Sequence, residues 1–176
     1  MKRKTSKGLA LLTASAVAAV TVLGTGTPMA QAAETEYEIY PNPHVLSYEG
    51  ESWIIKNEVN VVYEDGIDEA TQDRLEEVFA LKGGITVSES DEIVEGKTNV
   101  LVGIDGSEGY VDQYAEENVE LSTDGLFDKL DSYILDSKED VITVLGADTD
   151  ASFYGLTTLY HIVKQMDSQT IRSFHI

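Results

Sequence analysis

Three stretches of the chain place apolar residues at helical spacing. Asp68 is the expected N-cap of the first helix, which runs to about Leu81 and is stopped by Gly83-Gly84. A second, shorter helix is predicted over residues 111–117. The third and longest is predicted over 152–166, where one face collects Phe153, Leu156, Leu159, Tyr160, Ile162, Val163 and Met166. The third helix is amphipathic, and the first has an apolar face opposite an acidic one.

The strand signals are short. Residues 99–104 form an apolar run bounded by turn residues, which predicts a strand covered on both faces. Residues 133–135 and 141–145 flank a polar segment and give the clearest hairpin signal in the chain. Another hairpin is predicted from residues 44–48 and 52–56. Further short strands are predicted at 60–64, 85–88 and 171–176.

This order of elements predicts the fold class. We expect an α/β protein of the α+β sandwich type, in which a mixed sheet carries about three helices packed mainly on one side. Hairpins are expected to outnumber crossovers. The pattern does not fix the order of the strands.

The first 32 residues have the pattern of a secretory signal peptide. Four basic residues precede an apolar run, Leu9–Leu23, and Ala30-Gln31-Ala32 provides a small-x-small cleavage site. The alternative is a membrane anchor, but a span needs ~20 predominantly apolar residues and this run is shorter and contains three hydroxyl side chains. We therefore expect residues 33–176 to form one domain that is secreted or held at the surface of a Gram-positive-like bacterium, with no membrane attachment after cleavage.

The mature domain is strongly acidic. Removing residues 1–32 takes away four of the 12 Lys and Arg residues and none of the 32 Asp and Glu residues, so the formal charge falls from −20 to −24. Such a surface repels nucleic acid, whose binding depends on cationic side chains that neutralise phosphates. The chain has no cysteine, which excludes disulfides and thiolate metal sites.

Residue types that often bind metals form no recognised motif. A helical zinc site needs a second His four residues after the first, and His161 is followed at that distance by Gln165. The run Asp148-x-Asp150-x-Ser152 imitates a calcium loop, but it lacks the Gly and Glu that such a loop needs further along. The start of a helix explains these side chains better, because their oxygens satisfy free N–H groups there. His44 and His175 lie in strand-like segments with no predictable partner.

Carboxylates are abundant, and glycoside hydrolysis needs two of them facing one bond. The acids of this chain lie mostly in predicted loops and on polar helix faces. Gly103-Ile-Asp-Gly-Ser107 also lacks the spacing of a serine nucleophile elbow. We therefore expect no catalytic residue, metal ligand or cofactor site in this chain.

Three stretches carry a resemblance to a known family. Tyr37-Glu-Ile-Tyr-Pro-Asn-Pro43 resembles an opening Tyr-Pro-x-Pro strand, and Asp131–Leu135 with Val141–Gly146 resembles a hairpin that contains a Tyr-x-Leu strand. Asp148–Leu159 is similar to the signature Asp-x-x-Gly-x-Phe-Tyr-Gly-x-x-Thr-Leu. These are features of the N-terminal domain that precedes the catalytic barrel in secreted bacterial β-N-acetylglucosaminidases and hyaluronidases of glycoside hydrolase family 84. Family 20 hexosaminidases carry a related domain.

The resemblance implies a non-catalytic accessory domain with a zincin-like topology but no metal. In the family, two neighbouring aspartates in the barrel perform catalysis; this chain contains no Asp-Asp pair, so no catalytic residue carries over. We expect the chain to be truncated before the barrel. Its implied partners are that barrel and, through the parent enzyme, glycans that contain N-acetylglucosamine.

The family signature implies structural or interface residues rather than catalytic ones. They are Tyr133, Asp148, Phe153, Tyr154, Gly155, Thr158 and Leu159. Phe153 is expected to begin the core stripe, and Gly155 to let its helix approach the sheet closely. Tyr154 either points toward the barrel or caps an edge of the core, and the sequence favours neither.

Other functions stay open. The chain could be a free-standing interaction or glycan-binding module, for which Trp53 is the sole tryptophan available as a sugar platform. A packed hairpin residue is the favoured interpretation of Trp53. A third alternative is a remnant that does not fold stably because its final strand is incomplete.

Overall fold

A computed structural model describes residues 36–121 and 125–176. The predicted signal peptide, residues 1–32, lies outside the described residues. The elements, in chain order, are β1 Trp53–Ile54, β2 Glu58–Tyr63, α1 Glu69–Ala80, β3 Thr86–Glu89, β4 Thr98–Ile104, α2 Tyr110–Asn118, β5 Tyr133–Lys138, β6 Val141–Gly146, α3 Thr149–Gln165, β7 Thr170–Ile171 and β8 Phe174–His175.

Six strands form one mixed sheet in the order β3-β2-β4-β6-β5-β8. β2 pairs in parallel with both β3 and β4, and β4 pairs in parallel with β6. β5 pairs antiparallel with β6 and with β8. The expected α+β fold with a mixed sheet is confirmed. The expectation that hairpins outnumber crossovers is wrong, because the central pairings are parallel and require crossover connections.

The sheet has a helix layer on each face. α1 and α3 pack together on one face, over the alternate strand residues that make the main core, such as Val61, Val102 and Val144. α2 covers part of the opposite face, where Val111 packs with Val62 and Leu101. Two of the three helices thus share one side. β4 lies between these layers and is buried, as its apolar run predicts.

The predicted hairpin of residues 44–48 and 52–56 is wrong. β1 pairs instead with β7, where Trp53 lies opposite Ile171. Ser47 exchanges two backbone hydrogen bonds of 2.9 Å with His175. The backbone N–H and C=O groups of both N-terminal segments therefore bond to the C-terminal end of the domain. These partners are far apart in the sequence, so the local alternation of apolar and polar residues does not predict the pairing.

The N-terminal and C-terminal segments are also joined through side chains. The hydroxyl of Tyr37 accepts the backbone N–H of Arg172 at 2.9 Å, and the Arg172 guanidinium lies 3.9 Å from the ring centre of Tyr48. Ser173 Oγ donates to the carbonyl of Glu51 at 2.7 Å. In the part of the chain that the structure describes, no helix is long and apolar enough to cross a membrane.

Candidate functional site

Three signature residues meet where α3 lies on the sheet. The hydroxyl of Tyr133, on β5, is 2.7 Å from Thr158 Oγ1 on α3. Gly155 lies over the same ring: a Cβ added there would be 3.2 Å from Tyr133 Cδ2 and 2.6 Å from Val144 Cγ1. Glycine therefore permits the close approach that the sequence predicted, and the tyrosine–threonine pair fixes the position of the helix along the strand.

Two other signature residues have structural roles. Asp148 Oδ1 accepts the backbone N–H of Ala151 at 2.8 Å, so Asp148 is the N-cap of α3. The helix begins at Thr149, three residues earlier than its apolar stripe suggests. Leu159 is fully buried in the main core.

Phe153 does not begin the core stripe, which corrects the sequence-based expectation. Its ring is half-buried and lies 4.8 Å from the guanidinium carbon of Arg74 on α1. The neighbouring Tyr154 is 44% exposed and packs edge-to-face against Phe153. Phe153 thus contacts α1, and part of the Tyr154 ring faces solvent.

Directly after β2 lies a buried carboxylate that the sequence did not reveal. Glu64 is 8% exposed. Its Oε2 accepts the N–H of Ile104, at the end of β4, and its Oε1 accepts the N–H of Asp112, in the first turn of α2, both at 2.9 Å. Gly109, the N-cap of α2, has no side chain to bind these N–H groups. Glu64 therefore caps α2 from another element, at the positive end of the helix dipole.

Two glycines make room for the Glu64 carboxylate. A Cβ on Gly103 would lie 2.5 Å from Glu64 Oε2, and a Cβ on Gly109 would overlap the same carboxylate. The sequence signal was one glycine near the end of a buried strand and another in the loop that follows it. The carboxylate that they accommodate follows β2, whose neighbour in the sheet the sequence did not reveal.

The Glu64 carboxylate lies at the carboxyl ends of β2 and β4, where the chain turns to opposite faces of the sheet. β2 and β4 are adjacent and parallel, but the chain leaves β2 into α1 on one face and β4 into α2 on the other. A crevice between two such strands, at their carboxyl ends, is where open α/β sheets usually bind ligands. Here the chain's own Glu64 fills it.

The remaining titratable clusters do not form a metal site. Among residues 36–121 and 125–176, no three His, Asp or Glu side chains lie close enough to hold a metal ion. His44 and His161 are exposed. His175 Nδ1 is 3.1 Å from Asp136 Oδ1, in a pair whose side chains are each 18% exposed.

Trp53 is a packed residue rather than an open platform. It lies in β1, partly buried against the main core, and its indole Nε1 is inaccessible to solvent. A sugar-binding platform needs an exposed ring face, so the structure does not favour a glycan site at Trp53.

Comparison with known domains identifies the family. The family model described as glycosyl hydrolase family 20, domain 2, matches residues 36–176. The chain belongs to this family. The resemblance to the accessory domain of family 84 and family 20 enzymes, drawn from the sequence, is confirmed.

Solved structures agree with this family 20 domain 2 assignment. CpGH84D is 45% identical with a TM-score of 0.76, over 80% of this chain and 23% of CpGH84D. CpGH84B is 21% identical with a TM-score of 0.63, over 80% of this chain and 22% of its own. An inactive mutant of the GH20 exo-β-N-acetylglucosaminidase from Vibrio harveyi is 13% identical with a TM-score of 0.53, over 77% of this chain and 18% of its own.

The two comparisons below 25% identity show the shared fold alone. The chain spans about a quarter of the length of CpGH84D. No curated protein matches it.

Substituting Gly155 tests the packing of α3 on the sheet. We expect Gly155→Ala to lower the free energy of unfolding by about 1–3 kcal/mol, because the new methyl group overpacks against Val144 and Tyr133. Urea unfolding followed by circular dichroism measures the change. Gly83→Ala is the matched control: a Cβ added at Gly83 would have no atom within 4 Å, so its free energy of unfolding should stay within about 0.5 kcal/mol of the parent. Equal stability of the two variants would contradict the close approach.

Substituting Glu64 tests the cap of α2. Glutamine keeps the shape of the side chain but offers one oxygen where two backbone N–H groups need acceptors. We expect Glu64→Gln to destabilise the domain by about 1–3 kcal/mol, the usual cost of leaving a buried donor unpaired. Glu117→Gln, an exposed position on α2, is the control and should change the urea midpoint little. An unchanged midpoint for Glu64→Gln would show that the carboxylate does not hold α2.

Proposed function

We propose that this chain is the non-catalytic N-terminal domain of a secreted, retaining β-N-acetylglucosaminidase, where it supports a catalytic barrel. The observation that carries the proposal is the match to CpGH84D: 45% identity over 80% of this chain, with a shared fold, confined to 23% of the larger protein. A domain that matches only 23% of a larger protein is expected to be one part of a longer enzyme. Its contribution to the reaction would be to stabilise and position the part that binds the substrate.

The chemistry of the described residues supports a structural role. A retaining glycosidase needs two carboxyl groups facing one bond across a concave site. Glu64 and Asp112 are the buried carboxyl groups among the described residues, and both bind backbone. The oxygens of Asp112 accept the N–H groups of Gly106 and Glu108 at 3.2 and 2.9 Å, and Glu64 caps α2. Carboxylates that hold the backbone in this way are not available to transfer a proton to a substrate.

The exposed ring of Tyr154 supports a contact with the barrel. A tyrosine that is 44% exposed in the second turn of α3 provides the apolar body and polar tip that are enriched at interfaces. We assign Tyr154 to this contact. The glycans that contain N-acetylglucosamine would then be bound by the barrel and not by this domain.

The catalytic part of the proposal is tested with the purified chain. We expect no release of 4-nitrophenol from 4-nitrophenyl N-acetyl-β-D-glucosaminide above the rate in buffer, because the acids that would perform the reaction lie outside this chain. The active form of the Vibrio harveyi exo-β-N-acetylglucosaminidase serves as the positive control. Turnover that co-purifies with the folded chain through successive columns would overturn the proposal.

A titration separates the scaffold from a glycan-binding module. Oligomers of N-acetylglucosamine should leave the fluorescence of Trp53 unchanged, since its ring is packed against the core. Saturable quenching would favour the module instead.

A further inference from the structure

Strand β8 is held between two elements that come from distant parts of the chain. On one side it pairs with β5, where His175 lies opposite Asp136. On the other side, His175 exchanges both backbone hydrogen bonds with Ser47. β8 has only two residues, so few backbone hydrogen bonds hold it. This seam between residues 44–51 and β8 is therefore sensitive to side-chain interactions.

The side chain of His175 adds an interaction at the seam. Its Nδ1 lies 3.1 Å from Asp136 Oδ1, and both side chains are mostly buried. They line a cavity of about 290 Å³ together with three other charged side chains from separate elements: Glu49 from the N-terminal segment, Glu120 after α2, and Lys138 at the end of β5. Three carboxylates and one amine thus line the cavity beside the imidazole, and this excess of negative charge favours its cationic form.

We propose that His175 and Asp136 form a pH-sensitive latch that closes the seam between the N-terminal segment, residues 44–51, and strand β8. When the imidazole is protonated, an ion pair stabilises the pairing of β8 with β5. Because His175 also pairs with Ser47 through its backbone, the ion pair stabilises the position of the N-terminal segment as well. Loss of the proton leaves a hydrogen bond between a neutral imidazole and the carboxylate, which is weaker than the ion pair, and so a weaker seam. The latch is a property of this domain and does not depend on its proposed role beside a barrel.

The direction of the pH effect follows from the environment of His175. The hydrogen bond to Asp136 raises the pKa of His175 above its ordinary value, burial opposes this, and the charges of Asp136, Glu120 and Glu49 raise it further. A group whose pKa is higher in the folded state contributes full stability below its unfolded pKa. That stability is lost as the pH rises through the folded value. The seam is therefore tighter in mildly acidic solution than in alkaline solution.

Hydrogen exchange at the two paired amides measures the latch directly. The amides of Ser47 and His175 donate the two hydrogen bonds of the seam. Between pH 5.5 and 8.5 we expect their protection factors, corrected for intrinsic exchange rates, to fall roughly two- to fivefold, the range of a partly exposed ion pair. The fully buried amides of Val100, Leu101 and Val102 in central β4 exchange when the whole domain unfolds, so they report the accompanying change in the free energy of unfolding.

Variants assign the effect to the pair. His175→Gln should make the protection of the Ser47 amide independent of pH, and His161→Gln, at an exposed position on α3, should leave the parent's pH dependence unchanged. A fall in protection that persists in His175→Gln, or no fall in the parent, would overturn the latch.

A measurement on the parent chain covers the case in which His175→Gln does not fold. The NMR titration of the His175 ring protons should give a higher pKa in the folded chain than in the chain unfolded by urea. An equal or lower pKa in the folded chain would refute the proposal.

Discussion

The carboxylate of Glu64 connects three elements of this domain, β2, β4 and α2, by hydrogen bonds. It lies just after β2, binds the backbone at the end of β4, and caps α2 in place of a side chain on Gly109. One buried carboxyl group thereby contacts the ends of two neighbouring strands and caps the helix on the opposite face from α1 and α3. The arrangement needs glycine at both 103 and 109, since a Cβ at either position would overlap the carboxylate.

This contact also bears on function, because it fills the crevice that open α/β sheets usually offer to a ligand. The other face of the sheet is secured by Gly155, whose missing side chain brings α3 onto β5 and β6. The termini of the described domain are joined by β1 with β7 and by Ser47 with His175.

The features that could be predicted from the sequence are local ones. Asp68 and Asp148 each cap a helix by accepting the backbone N–H three residues ahead. Residues 133–146 form the predicted hairpin through a two-residue turn, in which Glu139 and Asp140 both have positive φ.

The wrong predictions concern residues whose partners are distant in the sequence. Residues 44–56 contain alternating strand patterns, but such patterns do not say that the matching strands lie at residues 170–175. Glu64 was missed for the same reason: its two donors lie on β4 and α2. Phe153 was placed in the core by helical spacing, although the adjacent helix α1 supplies Arg74 as its partner.

The claim that this domain supports a larger enzyme is tested most directly by transplantation. Residues 36–176 replace the matching region of CpGH84D, which is 45% identical, and the melting temperature of this chimera is compared with that of CpGH84D lacking the region. The account predicts that the chimera unfolds cooperatively and several degrees above the truncated protein. Equal melting temperatures for the two proteins would contradict it.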